Sequence, residues 1–350
     1  MKAYLALENG TIFEGESFGA QGEITGEVVF TTGMTGYLET LTDPSYYGQI
    51  VVQTFPLIGN YGVIPSDFES KGSAMKAYIV KHPCRNPSNF RSEGGLDAFL
   101  KDQGIIGLFG IDTRALTKIL RGNGVMNGKI TTSKPMETDI LEARAYCVRN
   151  PVAAVSPRFS AKTGSGSRRV ALMDFGAKWG IAEALVSRNC EVWTFPYGAE
   201  SGKILEMSPA GIMLSNGPGD PADPANAGIV ETVRTLMHGC VPLFGICLGH
   251  QLMALASGYM TKKLEFGHRG ANQPVKELST GRVYITSQNH GYAVISDECS
   301  FVNVNDGTCE GIEYGNSFSV QFHPEARSGP LDTAFLFDRF VERMDAYAAG

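Results

Sequence analysis

The chain contains 350 residues, of which 43% are hydrophobic and 19% charged, and its formal net charge is -6. These values are typical of a folded soluble protein, and the length exceeds that of a usual single hydrophobic core, so we expect two domains. Because the sequence contains no long acidic or basic run, it does not indicate binding to nucleic acid or to an anionic membrane.

The sequence does not indicate export, membrane insertion or a framework of disulfides. Its first residues lack the apolar core of a secretory signal, and no apolar run reaches the roughly 20 residues that cross a bilayer. The seven cysteines are odd in number and scattered, with no CxxC pair, which argues against disulfides and against a zinc site. We therefore expect a cytoplasmic protein with free thiols and no metal site.

Residues 1–150 are predicted to form a smaller, strand-rich α/β domain with one or two helices. Apolar and β-branched runs at 26–32 and 49–55 are interrupted by Gly and Pro, which is typical of strands. Residues 112–120 begin with a capping Asp and predict a short amphipathic helix. The stretch 151–168, rich in Pro, Ser, Gly and basic residues, is predicted to be a linker without helix or strand.

Residues 169–350 are predicted to form an α/β domain, because strand and helix patterns alternate along them. The predicted strands are 169–175, 191–195, 211–214 and 241–246, and the predicted helices are 178–187, 227–237 and 248–256. Such alternation indicates a doubly wound, mostly parallel sheet covered by helices on both faces, with the active site beyond the carboxyl ends of the strands. Short apolar runs between 273 and 321 predict further strands and hairpins, and 333–348 predict a closing helix.

The pentad Gly245-Ile246-Cys247-Leu248-Gly249 lies where a predicted strand meets a predicted helix. Flanking glycines let the chain turn tightly there and expose the cysteine. A thiol at a helix N-terminus is close to unpaired amides and to the positive end of the helix dipole, which lower the pKa of a thiol. We therefore predict a nucleophilic Cys247 and an oxyanion donor in the amide of Leu248; the alternative is a buried cysteine that only packs against the strand end.

His323 and Glu325 follow another apolar strand, predicted at 318–320. Their spacing supplies an imidazole and a carboxylate together, just after a strand end. The imidazole can take the thiol proton and return it to a leaving amine, while the carboxylate accepts the other ring N–H and fixes the tautomer. A lone histidine is usually a surface or core residue without a catalytic role. The carboxylate of Glu325 and the thiol of Cys247 nevertheless favour a hydrolytic site here.

Two further runs are candidates for binding substrate. In residues 214–221, LSNGPGDP, an apolar strand is followed by Gly217 and Gly219, which allow positive φ angles and the close approach of a ligand to backbone amides. A phosphate loop is the competing interpretation, but no Lys-Ser/Thr pair follows. Residues 288–292, QNHGY, offer amide and backbone groups that suit the carboxylate and ammonium of an amino acid, although this run alone would pass as a hairpin turn.

These four runs, above all GICLGHQ at 245–251 with QFHPE at 321–325, resemble the class I, or triad, glutamine amidotransferases. The resemblance extends from residue 169 to the C-terminus. It implies that glutamine is hydrolysed through a γ-glutamyl thioester at Cys247, with His323 as acid and base and Glu325 orienting the imidazole. Ammonia is then the useful product.

The N-terminal half closely resembles the small subunit of carbamoyl phosphate synthetase, at residues 27–62 and 110–130, as does the run 266–275. This resemblance implies a large partner subunit that makes carbamoyl phosphate from bicarbonate and two ATP, with Mg²⁺, and the product can serve arginine biosynthesis, pyrimidine biosynthesis or both. The small chain itself is expected to need no metal and no nucleotide. Its N-terminal domain would be a docking and coupling module, and ammonia would reach the partner through a tunnel.

Carried over residue by residue, the family's glutamine pocket falls on both domains. Its expected members are Ser45, Gly217, Gly219, Leu248, Gln251, Asn289, Gly291 and Tyr292. Ser45 would reach in from the N-terminal domain. Tyr292 stands where some relatives have Phe, so a role for its hydroxyl is open, and Trp179-Gly180 is a local variation outside the triad.

The sequence leaves two alternative functions open beside this hypothesis. One is an amidotransferase for another acceptor, or a free-standing glutaminase or γ-glutamyl hydrolase; a large ATP-dependent partner would distinguish these from the hypothesis. The other is a non-catalytic protein that kept the fold in order to regulate a synthetase. The intact Cys247, His323 and Glu325 argue against this second alternative.

Overall fold

The computed structural model describes residues 1–349, and the chain divides into two compact units, Met1–Arg149 and Asn150–Gly350. Each unit contains its own sheet and its own hydrophobic clusters. Within the described residues, no helix combines the length and the apolar character needed to cross a membrane.

The first unit is built around a closed β-barrel. Its strands are β1 (Lys2–Leu7), β2 (Ile12–Gly19), β3 (Ile24–Thr31), β4 (Gln49–Gln53), β5 (Leu57–Ile58), β6 (Ala77–Val80), β7 (His82–Pro83), β8 (Ile106–Phe109) and β9 (Met126–Thr131). The barrel has the strand order β1-β2-β8-β6-β4-β3-β9, and β5 pairs with β7 outside it. Closure pairs both sides of every barrel strand, so the barrel presents no open sheet edge.

Among the described residues of the first unit, three α-helices lie between strands, and a fourth follows the last barrel strand, β9. They are α1 (Tyr37–Thr42), α2 (Leu96–Asp102), α3 (Thr113–Asn123) and α4 (Glu137–Ala145). The helix predicted at 112–120 is confirmed as α3, and the side chain of Asp112 caps it by accepting from the amide of Ala115 at 2.9 Å. The described part of this unit contains more helices than the one or two predicted, because α1 and α2 span fewer than two full turns and show too little periodicity to be recognised.

The second unit contains one large sheet. Its strands are β10 (Ala161–Thr163), β11 (Arg168–Asp174), β12 (Cys190–Pro196), β13 (Gly211–Leu214), β14 (Leu243–Ile246), β15 (Met260–Glu277), β16 (Val283–Ile295), β17 (Phe301–Asn303), β18 (Cys309–Tyr314) and β19 (Ser317–Val320). Its helices are α5 (Pro151–Val155), α6 (Trp179–Val186), α7 (Ser201–Glu206), α8 (Ala227–Met237), α9 (Leu248–Ala256) and α10 (Phe335–Ala349). The strand order is β10-β12-β11-β13-β14-β19-β18-β16-β15-β17.

The α/β fold class is confirmed, and the sheet has a parallel and an antiparallel part. Strands β12, β11, β13, β14 and β19 pair in parallel. From β19 onward the neighbours β18, β16, β15 and β17 pair antiparallel. The sheet therefore contains fewer parallel pairs than a mostly parallel sheet would. The reason is that the strands predicted between residues 273 and 321 join the same sheet as an antiparallel extension.

The stretch 151–168 differs from the linker predicted there. It contains helix α5, where Val152 is buried in the core of the second unit, and strand β10, which pairs antiparallel with β12. All three residues of β10 are exposed. A strand this short, without a buried face, has no hydrophobic alternation, so only its pairing with β12 reveals it.

An aromatic cluster lies at the centre of the second unit. Phe244 in β14 stacks on Phe318 in β19 with ring centroids 4.3 Å apart, and Phe337 and Phe340 of α10 pack against the same ring at 5.6 and 5.7 Å. All four side chains are buried. This packing joins the two strands whose ends carry the candidate catalytic residues.

We expect Phe337→Ala to destabilise the second unit by about 3–5 kcal/mol, because it removes a fully buried aromatic ring from this cluster. Urea unfolding followed by tryptophan fluorescence will report on this unit, since both tryptophans, Trp179 and Trp193, belong to it. Phe159→Ala is the matched control, because the ring of Phe159 is exposed. Equal unfolding midpoints for the two variants would contradict the prediction.

Candidate active site

Cys247 occupies a strained backbone turn between β14 and α9. Its φ and ψ angles are 54° and −103°, a conformation that non-glycine residues rarely adopt. The turn is held by a hydrogen bond from the Cys247 amide to the carbonyl of Val320 at 2.9 Å and by one from the Gln251 amide to the Cys247 carbonyl at 3.1 Å. The predicted elbow is therefore present, with its geometry set by the strand on one side and the helix on the other.

Gly245 and Gly249 are needed for close packing rather than for conformational freedom, which corrects the role predicted for them. Neither has a positive φ angle. A Cβ on Gly249 would lie 2.4 Å from the carbonyl oxygen of Leu214, and one on Gly245 would lie 2.7 Å from Sδ of Met253. The two glycines thus let the start of α9 lie directly against β13 and β14.

His323 and Glu325 form a buried acid–base pair after the end of β19. His323 Nδ1 lies 2.6 Å from Glu325 Oε1, and both side chains are fully buried. Because the carboxylate accepts a hydrogen bond from Nδ1–H, the neutral imidazole carries its basic lone pair on Nε2. Within residues 1–349, Nε2 has no hydrogen-bond partner, so this nitrogen can act on a substrate or on a thiol.

The charge of Glu325 is maintained in spite of its burial. Burial raises the pKa of this carboxyl, but the positive charge that the His323 imidazole carries when protonated, its hydrogen bond and the charge of Lys178 outweigh burial and hold the pKa below its ordinary value. Glu325 is therefore a carboxylate at neutral pH. It can stabilise the imidazolium that forms whenever His323 accepts a proton.

The sheet brings Cys247 and His323 to the same edge. Strands β14 and β19 are parallel neighbours, with Ile246 opposite Val320, so the residues that follow the two strand ends emerge together. Cys247 and Phe322, the neighbour of His323, belong to the same hydrophobic cluster. This arrangement is the one that the two strand-end motifs predict. The catalytic roles remain predictions that rest on this geometry.

Leu248 and Gly217, two of the predicted backbone-amide donors, lie next to each other at the elbow. Leu248 is the first residue of α9, where an amide has no acceptor within the helix. Gly217 packs closely at the same place, since a Cβ there would lie 2.8 Å from Cδ2 of Leu248 and 2.4 Å from the carbonyl oxygen of Phe175. Gly219 has a φ of 96°, as predicted, whereas Gly217 does not have a positive φ. Glycine is therefore needed at position 217 because a larger residue would not fit against Phe175 and Leu248, and not because the backbone has a positive φ angle.

Residues 288–292 lie within strand β16 and do not form the hairpin turn that was the alternative for this run. The main-chain oxygen of Asn289 lies 3.9 Å from Sγ of Cys247. Gln251 Nε2 donates to the main-chain oxygen of Tyr292 at 2.8 Å. Of the predicted pocket, Gln251, Asn289, Gly291 and Tyr292 thus belong to a strand and a helix that meet at the elbow.

Ser45 lies in the first unit, in the 3₁₀ turn Pro44–Tyr46. Its amide donates to Asp43 Oδ1 at 2.9 Å, and the residue is 8% exposed. This capping interaction fixes the turn that presents Ser45. Its membership of the pocket stays a prediction.

The turn after β11 and the start of α6 contain residues that the sequence patterns did not reveal as neighbours of the site. A Cβ on Gly180 would lie 3.1 Å from the carbonyl oxygen of Glu325 and 3.3 Å from its Cγ, so the start of α6 packs closely against Glu325 at this position. Asn216 accepts from the Lys178 amide at 3.0 Å and donates to the Gly176 carbonyl at 2.9 Å. The prediction that Gly180 is not a member of the triad is unaffected, but its close packing against Glu325 was not predicted, because these contacts join residues far apart along the chain.

His250, although it belongs to the GICLGHQ run, has a different environment from His323. It is fully buried, its Nδ1 lies 2.7 Å from Oγ of Ser319, and burial lowers its pKa to about 3. The imidazole is therefore neutral at physiological pH. The contact of this α9 side chain with Ser319 of β19 indicates a packing role.

Comparison with known proteins identifies two consecutive family segments. Residues 5–130 match the family described as carbamoyl-phosphate synthase small chain, CPSase domain, and residues 171–343 match glutamine amidotransferase class-I. These matches confirm the two resemblances seen in the sequence, one in each half of the chain.

Two relatives are similar to this chain along nearly its whole length. The carbamoyl phosphate synthase small chain of Clostridium perfringens is 50% identical over 349 residues, covering 98% of this chain and 99% of that protein. The carbamoyl phosphate synthase pyrimidine-specific small chain of Bacillus subtilis is 49% identical over 354 residues, covering 99% and 96%. A solved glutamine amidotransferase structure from Thermotoga maritima has a TM-score of 0.39 and 17% identity, covering 53% of this chain and 85% of that one.

We expect Gly249→Ala to lower the free energy of unfolding by about 1–3 kcal/mol, because the added Cβ would collide with the Leu214 carbonyl. Gly228→Ala in α8 is the matched control, since no atom lies within 4 Å of its Cβ position. That change is expected to be neutral or to stabilise by up to about 1 kcal/mol. Urea unfolding followed by tryptophan fluorescence measures both, and the same midpoint for the two variants would refute a packing role for Gly249.

Proposed function

Because this chain belongs to the family of carbamoyl phosphate synthase small chains, we propose that it hydrolyses L-glutamine and supplies the ammonia for carbamoyl phosphate synthesis. The observation that carries the chemistry is the strained Cys247 elbow beside the buried His323–Glu325 pair. A thiol, a base with a free Nε2 and an ionised orienting carboxylate are the groups that amide hydrolysis through a thioester requires.

In the first half of the proposed reaction, Cys247 attacks the side-chain amide carbon of glutamine. His323 Nε2 accepts the thiol proton, a C–S bond forms, and the carbonyl electron pair moves onto oxygen. The amide of Leu248, with those of Gly217 and Gly219, donates hydrogen bonds to this oxyanion or to the substrate. His323 then protonates the nitrogen as the C–N bond breaks, which releases ammonia and leaves a γ-glutamyl thioester on Cys247.

In the second half, water hydrolyses the thioester. His323 Nε2 accepts a proton from the attacking water and returns one to the sulfur as glutamate leaves. Glu325 stabilises the imidazolium in both halves, since its Oε1 lies 2.6 Å from Nδ1. The proposed pocket for glutamine comprises Ser45, Gly217, Gly219, Leu248, Gln251, Asn289, Gly291 and Tyr292.

The partner proposed for this chain is the large synthetase subunit of carbamoyl phosphate synthase, as the names of the small-chain relatives support. In this proposal the large subunit uses ATP, Mg²⁺ and bicarbonate, and the chain described here needs no metal or nucleotide for glutamine hydrolysis. Cys247, His323 and Glu325 themselves supply the nucleophile, the acid and base, and the charge that the reaction needs. The barrel unit is the proposed docking and coupling module.

We expect Cys247→Ala or Cys247→Ser to abolish glutamine-dependent carbamoyl phosphate synthesis, while the complex with the large subunit still uses added ammonium. The reason is that only the glutamine-dependent route requires the thiol. Side-by-side assays of the co-purified complex with glutamine and with ammonium measure the two routes. Cys240→Ser, at an exposed thiol, is the matched control, and glutamine turnover that survives in the Cys247 variants would overturn the assignment.

We expect His323→Asn to lower kcat for glutamine by about 100- to 10,000-fold, the usual contribution of a general acid or base, with little change in glutamine binding. Steady-state kinetics of the complex separates kcat from KM. His238→Asn, at an exposed histidine after α8, serves as the control and should behave as the wild type. An effect of His323→Asn confined to KM would contradict the acid–base role.

A further inference from the structure

A buried polar network lies behind the strand that carries the proposed glutamine pocket. Glu310 is fully buried, and its Oε2 lies 3.0 Å from Gln288 Nε2. Gln288 Oε1 lies 3.0 Å from His290 Nε2, and His290 Nδ1 lies 2.7 Å from the main-chain oxygen of Tyr292. The three side chains form one continuous hydrogen-bonded chain that ends on the backbone of the pocket.

The network lies on one side of β16. Gln288, His290 and Tyr292 alternate with Asn289 and Gly291, and successive residues of a strand point to opposite faces. The main-chain oxygen of Tyr292 accepts hydrogen bonds from two side chains, from His290 Nδ1 and from Gln251 Nε2 at 2.8 Å. The network thus fixes, from behind, the backbone between Asn289 and Tyr292.

A β-bulge aims Glu310 at this strand. In the pairing of β17 with β18, Phe301 lies opposite Gly311 and Val302 opposite Cys309, so Glu310 is the extra residue. Bulges commonly redirect a side chain next to a functional site. The main-chain oxygen of Glu310 also accepts from the amide of Gln321 at 2.9 Å, which links the bulge to the segment that leads to His323.

The protons of the network can be counted. Because the Tyr292 carbonyl only accepts, His290 Nδ1 must donate to it. Burial, with the nearby His268, lowers the pKa of His290 well below its usual value, and burial raises the pKa of Glu310. Whether His290 is neutral beside a protonated Glu310 or charged beside a carboxylate, rotation of the Gln288 amide keeps the chain of hydrogen bonds complete.

His290 and Glu310 of this network, together with the neighbouring His268, also resemble a binding site for a cation. His268, His290 and Glu310 offer ligand atoms within 4.8 Å of one another. Both nitrogens of His290 are nevertheless within hydrogen-bond distance of protein oxygens, so a metal would have to displace one of these contacts. The hydrogen-bonded arrangement therefore explains the cluster by itself.

We propose that Glu310 is a positioning residue for the glutamine substrate, acting through Gln288 and His290 on the backbone of residues 289–292. The inference rests on the proposed glutamine hydrolysis. Glu310 touches neither the thiol nor the triad in this scheme. Its removal should therefore weaken substrate binding more than it slows the chemical steps.

The test compares Glu310→Met, which fills a similar volume without hydrogen bonding, with Glu310→Gln, which has both a donor and an acceptor. We expect Glu310→Met to raise KM for glutamine by at least about tenfold, because it leaves buried polar groups without partners. Its kcat and its ammonium-dependent synthesis should change little. Glu310→Gln should restore KM, because its amide can continue the chain to Gln288 in either orientation.

Glu313→Met, at an exposed position on the same strand, is the matched control. Calorimetric titration of glutamine into complexes that also carry Cys247→Ala measures binding without turnover, so the test does not depend on catalysis. Wild-type binding by Glu310→Met, or equal losses in Glu310→Met and Glu310→Gln, would overturn the inference. Failure of the proposed function would instead be seen as a wild-type complex that does not hydrolyse glutamine.

Discussion

The candidate active site depends on one strained residue, Cys247, whose backbone has φ and ψ angles of 54° and −103°. The conformation persists because the chain on both sides is fully constrained. Ahead of it β14 is paired in the sheet, and behind it Gly249 lies against the Leu214 carbonyl with no room for a Cβ. Strain of this kind costs about 1–3 kcal/mol and is maintained only when the surroundings hold it in place. Here it sets the direction of the thiol and the position of the Leu248 amide.

Around this turn, the sheet changes from parallel to antiparallel. The proposed nucleophile, Cys247, follows β14, and the proposed acid–base pair, His323 and Glu325, follows β19, the last of the parallel strands. The strand with the proposed substrate contacts, β16, belongs to the antiparallel part and connects to the triad through the bond from the His323 amide to the Ser287 carbonyl at 2.9 Å. The parallel strands therefore supply the proposed catalytic groups, and the antiparallel strands supply the surface on which the amino acid is proposed to bind.

Burial of the His323–Glu325 pair has an energetic cost that its surroundings offset. A carboxylate without water is destabilised, and the imidazole that contacts it together with Lys178 keeps it ionised. Gly180 lets the start of α6 pack closely against Glu325. The pair is consequently oriented before substrate arrives, which lowers the reorganisation needed when charge develops in the reaction.

Local patterns in the sequence were enough to predict the alternating strands and helices of the second unit, the elbow at Cys247, and the pairing of His323 with Glu325. Such features depend on residues that are neighbours along the chain, where periodicity and turn chemistry are visible. The contact of Gly180 with Glu325, the pairing of β10 and the bulge that directs Glu310 were decided by tertiary structure alone. Each depends on strand order and register, which bring together residues that have no relationship in the linear sequence.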